Sequence, residues 1–77
     1  MSRFIVSLTS VDEVKQFVDA ASRCACEIDV RSGHYVVNAK SIMGLFSLDL
    51  SQPVEVEVLG TQAQADAFQG DVAAFVR

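Results

Sequence analysis

Histidine occurs once in the 77 residues, tryptophan is absent, and tyrosine and proline occur once each. Any Ser-His-Asp relay would rest on the single imidazole of His34, and a multi-histidine metal site has no ligands to draw on. The two cysteines, Cys24 and Cys26, are one residue apart and cannot staple distant parts of a small fold. Reduced thiols in a cytosol are the expectation, with neither metal nor cofactor. Positive charge is also scarce: six Lys+Arg stand against ten Asp+Glu, a net charge of −4, with no basic cluster. Nucleic acid and anionic membrane are therefore not expected as partners. No apolar run approaches the ~20 residues that span a bilayer. Arg3 precedes only the short apolar stretch Phe4-Ile5-Val6, so no signal-peptide core is read. These absences predict a cytoplasmic protein that is not an enzyme.

What is present suffices for folding. Hydrophobic residues make up 51% of the chain and charged ones 21%, which excludes a disordered chain. The length predicts one domain over residues 1–77. Arg3 to Leu8 reads as a strand with Phe4, Val6 and Leu8 on one face. Ser10-Val11-Asp12-Glu13 fits the capping box S-x-x-E, in which the Ser10 hydroxyl meets the Glu13 amide and the Glu13 carboxylate returns to the Ser10 amide. Val11, Val14, Phe17, Val18 and Ala21 follow at helical spacing, ending near Ser22-Arg23.

Residues 26–31 alternate apolar and charged, Ser32-Gly33 signals a turn, and His34 to Asn38 reads as the return strand. A short helix is expected to open at Ser41, followed by a loop over Asp49 to Pro53. Val54-Glu55-Val56-Glu57-Val58 is a strict period-two strand. Gly60 breaks it, Thr61 to Gln64 forms a second capping box, and an apolar stripe of Ala65, Phe68, Val72, Phe75 and Val76 predicts a helix to Val76. The order β-α-β-β-α-β-α implies an α+β layer with the helices on one face of an antiparallel sheet. The other face is expected to be solvated, carrying Arg3, Glu27, Asp29, Arg31, Glu55 and Glu57.

The segment Asn38-Ala39-Lys40-Ser41-Ile42-Met43-Gly44-Leu45-Phe46-Ser47-Leu48 resembles the regulatory-serine segment of HPr, the small phosphocarrier of the bacterial sugar phosphotransferase system. The surrounding elements fall in the same order and spacing from Ser10 to Val76. The resemblance implies an open-faced β-sandwich with a four-stranded antiparallel sheet, two long helices and one short helix. It also implies protein partners: phosphotransferase-system enzymes, HPr kinase/phosphorylase and a transcriptional regulator.

The resemblance fails where the phosphocarrier chemistry belongs. The family carries its phosphohistidine in a G-[IL]-H-x-R-P context, and the gapless alignment puts Ser10 at the histidine, Asp12 at the arginine and Glu13 at the proline. A phosphoryl carrier needs a nucleophilic imidazole, with a cation and a helix N-terminus to hold the dianion. A hydroxyl and two carboxylates do not supply them. The expectation is a histidine-less member akin to catabolite-repression HPr-like proteins, regulatory rather than phosphocarrying.

Two readings stand for Ser41: a helix N-cap alone, or an N-cap that is also the target of the kinase. Two also stand for the patch of Lys40, Ile42, Met43 and Phe46: core packing or partner docking. Ser10 reads as a cap more readily than as an acceptor. His34 reads as an exposed residue flanking the turn, and Cys26 as a small core hydrophobe.

Overall fold

Residues 2–77 are described by a computed structural model. Strand β1 (Ser2–Val6) leads to helix α1 (Val11–Arg23), then to the hairpin of β2 (Glu27–Ser32) and β3 (Tyr35–Asn38). The short helix α2 (Ile42–Phe46), strand β4 (Val54–Leu59), helix α3 (Gln62–Asp71) and a 3-10 turn over Ala73–Phe75 complete the chain. The strands form one antiparallel sheet in the order β1-β4-β2-β3. This is the α+β layer expected from the element order, and it has the open-faced sandwich form that the resemblance implies.

The valines of β4 explain why that strand lies inside the sheet. Val56 is paired with Phe4 on one side and Val30 on the other, and Val30 with Val37, so one apolar row crosses all four strands. β-branched side chains suit such a pleated, covered surface. Helices α1 and α3 bury Val14, Phe17, Ala20, Ala21, Ala65 and Phe68 in the same core. Phe17 meets Phe68 edge-on at 5.5 Å, and Phe4 approaches Phe68 at 6.2 Å, so one aromatic triplet joins both helices to β1. Cys26 packs into this core as expected, its Sγ 3.0 Å from that of Cys24.

Four local expectations need correcting. The Glu13 carboxylate is held chiefly by Thr9 rather than by the Ser10 amide: it accepts from the Thr9 amide at 2.6 Å and the Thr9 hydroxyl at 2.9 Å. His34 lies in the turn and β3 begins at Tyr35. Gly33, at φ 61, takes the positive-φ first central position that a type II′ hairpin turn requires. The last helix stops at Asp71 rather than near Val76. The Val72 amide bonds the carbonyls of Phe68 and Gly70, and the chain then runs out to pair Val76 with Val6.

The fourth correction is Glu57, which is only 4% exposed although it lies on the outer face. It sits on an inner strand, where Arg3 Nε donates to its Oε2 at 3.2 Å and an Arg31 guanidinium nitrogen lies 3.6 Å from its Oε1. Two largely exposed arginines thus fold their stems over one carboxylate.

Candidate functional site

The functional candidates fall on two segments, the entry to α1 and the β3–α2 corner. At the first, the Ser10 hydroxyl accepts from the Glu13 amide at 3.2 Å, which satisfies one of the unpaired donors of the helix start. The Thr9 amide and hydroxyl hold the Glu13 carboxyl below its ordinary range. The first turn therefore presents an ionised Glu13 beside an exposed Asp12. Both positions suit the helix dipole, and both would repel a bound phosphoryl group.

At the second segment, Asn38 sets the course of the chain. Its side-chain oxygen accepts from the Lys40 amide at 2.8 Å, its carbonyl accepts from the Ser41 amide at 3.0 Å, and its side-chain nitrogen donates to Glu27 at 2.7 Å. This double bond to its own successors is the Asx-turn preference of asparagine. It delivers Ser41 as the N-cap of α2, where the hydroxyl accepts from the Gly44 amide at 3.1 Å. Ser41 is itself exposed. A Cβ on Gly44 would stand 3.1 Å from the Ser41 hydroxyl and 3.2 Å from the Val37 Cβ, so glycine lets this turn lie tight on β3.

One turn and a half of helix cannot bury every apolar side chain it carries. Leu45 is fully buried and Ile42 half-buried against the core, while Met43 is 78% and Phe46 44% exposed. Lys40 is partly exposed beside them. Of the expected patch, Met43 and Phe46 therefore form the solvent face, and Ile42 belongs mainly to the core.

The entry to α1 faces the far end of α2 across a cleft that Lys40, Ser41, Ile42 and Met43 do not line. The cleft, of about 380 Å³, is lined by Thr9, Ser10, Val11 and Val14 on one side and by Phe46, Leu50 and Ser51 on the other, with Leu8 among the lining residues. Val11 belongs to the apolar stripe expected of α1 but is 56% exposed at this cleft. Nothing in the periodicity distinguishes it from the buried Val14, because the difference arises from how α1 meets α2. Leu50 and Ser51 lie in an irregular loop, where spacing carries no signal. His34 is exposed in the hairpin turn, near Ser47 and Asp49, and does not line this cleft. Among the described residues no group of three or more His, Cys, Asp and Glu is placed to hold a metal ion. No helix among them is long and apolar enough to cross a membrane.

Comparison with known proteins converges on one family. The family model described as "PTS HPr component phosphorylation site" matches residues 13–77, a span that begins beyond Ser10 and Asp12. The crystal structure of HPr-C-His from Thermoanaerobacter tengcongensis is similar with a TM-score of 0.78 and 26% identity, covering 96% of this chain and 93% of that one. The phosphocarrier protein HPr from Bacillus anthracis str. Ames is similar with a TM-score of 0.72 and 30% identity, covering 99% of this chain and 94% of that one. No curated protein matches the sequence.

Proposed function

The chain belongs to the HPr family of the phosphotransferase system, and from that footing we propose that it is a regulatory or adaptor member rather than a phosphocarrier. The observation that carries the proposal is the start of α1. The gapless alignment puts Ser10 at the phosphohistidine position; its hydroxyl already accepts from the Glu13 amide, and its neighbours are two carboxylates. No imidazole lines the cleft, and in the same alignment Asp12 falls where the family pattern has its arginine.

The regulatory event is phosphorylation of Ser41 by an HPr kinase. The Ser41 oxygen takes the γ-phosphoryl group of ATP, loses its proton, and ADP departs. Exposure of Ser41 supports the reading, as does its place at a helix cap, where about −1.5 to −2 of added charge meets free amides. Met43 and Phe46, with Lys40 and the edge of Ile42, supply the docking patch beside it. Its partners would be phosphotransferase-system enzymes, the kinase/phosphorylase or a transcriptional regulator, in the cytoplasm. Asp12, in place of an arginine, weakens the case for the regulator.

Mass measurement separates the readings. The protein is incubated with ATP and HPr kinase, and in parallel with phosphoenolpyruvate and the first enzyme of the phosphotransferase system. One phosphate gained only in the kinase arm, and lost in Ser41→Ala, is the expected result. An acid-labile phosphate in the second arm would overturn the loss of phosphocarrier function. No phosphate in either arm would leave a non-phosphorylated interaction domain.

A further inference from the structure

The two edges of the sheet are finished differently. At the β1 edge the C-terminal segment adds a short rung: Val76 bridges Val6, the Ser7 amide donates to the Phe75 carbonyl at 2.8 Å, and the Arg77 amide donates to the Ile5 carbonyl at 2.8 Å. At the other edge, β3 pairs with β2 alone. Strand edges of this kind are usually blunted by charge, proline or a covering segment. The β3 sequence Tyr35-Val36-Val37-Asn38 carries neither charge nor proline, and Tyr35 and Val36 are 73% and 47% exposed.

The direction of the free backbone groups follows from the register. A two-residue hairpin turn makes Ser32 and Tyr35 its closing hydrogen-bonded pair, so the pairs alternate from there. The Ala39 amide bonded to the Ile28 carbonyl at 2.8 Å continues that alternation. Val36, opposite Arg31, falls between hydrogen-bonded pairs, and its N–H and C=O therefore point away from β2.

We propose that this edge pairs with the same edge of a second copy of the chain, antiparallel about Val36. A two-fold axis there lets the Val36 N–H donate to the carbonyl of Val36 of the partner subunit and the reverse, with no slip in the pleat. In the same register Tyr35 stands opposite Val37 of the partner subunit on the helix side, and the two Val36 side chains meet on the outer side. No like charges face each other across the seam, because β3 has none. The result is a continuous eight-stranded sheet with the Ser10 and Ser41 segments left outside the seam. The strand is about 13 Å long and the contact lies below the roughly 1,200 Å² of stable interfaces. The dimer is accordingly weak, forming between micromolar and millimolar protein. With −4 on each copy, it tightens as salt screens the repulsion.

Sedimentation equilibrium of the full chain across that range, together with amide shifts of the ¹⁵N-labelled protein, tests the proposal. The expected result is a mass rising toward the dimer, with concentration-dependent shifts centred on the Val36 and Asn38 amides. Val36→Pro removes only the outward N–H, a position where an edge strand accepts proline. It should weaken association by about tenfold or more, while Val36→Thr, which keeps the amide, associates like the parent. A monomer at every concentration overturns the proposal. So does a dimer whose Val36 and Asn38 amides do not move, a reading that holds even if the proline variant fails to fold.

Discussion

Glu57 is the residue at which charge and burial meet most sharply. It lies opposite Arg3 on β1 and Asp29 on β2, so an acid faces it on one side and a base on the other. Its side chain is 6% exposed, whereas those of Arg3 and Arg31 are 60% and 44% exposed. The two ends of this network therefore respond differently to substitution. In Glu57→Gln the arginines return to water and lose only partial pairing, so the cost should be about 0.5–1.5 kcal/mol. In the double variant Arg3→Ala with Arg31→Ala, the carboxylate stays covered without a counter-charge and beside Asp29, and the cost should reach about 2–4 kcal/mol. Urea unfolding of both variants checks the asymmetry, which would be absent if Glu57 were the solvated residue that its position in an alternating strand implies. Alternation alone cannot reveal this carboxylate as buried, because what covers it comes from strands 54 and 26 residues away in the chain.

At the scale of the element, α2 divides its side chains between two jobs, and stability should divide the same way. Leu45 is fully buried, so Leu45→Ala should cost about 2–5 kcal/mol. Met43 is 78% exposed, and Met43→Ala should lie within about 0.5 kcal/mol of the parent while weakening any partner that docks on this face. Thermal unfolding of the pair, followed by a binding measurement with the phosphotransferase enzymes, checks the division. Equal losses of stability in both variants would make the exposed face part of the core after all. The existence of this element is readable from the chain, since Ser41 marks its N-cap. Its orientation is not, because five residues give too little periodicity to say which face turns inward. The same contrast recurs in α3. Its capping box at Thr61 and Gln64 is local and appears as expected, with bonds of 2.9 and 3.1 Å. Its end at Asp71 is followed by the bridge of Val76 to Val6, a contact spanning nearly the whole chain that local spacing does not signal.

On the scale of the molecule, the strand order joins near neighbours at one side and distant segments at the other. The β2–β3 hairpin closes through a two-residue turn, whereas β1 waits for β4, which lies about fifty residues further along. Strand type and alternation make the sheet and its buried row legible in the sequence. The cleft between Ser10 and Phe46 is not legible there, because it depends on how α1 and α2 lie on that sheet. Exposure to exchange should follow the same geometry. Strands β4 and β2 each have a partner on both sides and bury Val54, Val56, Val58, Ile28 and Val30, so their amides can open only when the whole fold does. The Ser7 and Arg77 amides are bonded only to the terminal rung and should open by local fraying, at an intermediate rate. The Val36 and Asn38 amides have no partner in a single copy and should exchange faster than those of β4 and β2 in dilute protein, then slow as protein is concentrated. Hydrogen exchange by NMR at two concentrations gives this ranking directly. A Val36 amide as protected as Val56 in dilute solution would mean that the β3 edge is already covered within one chain.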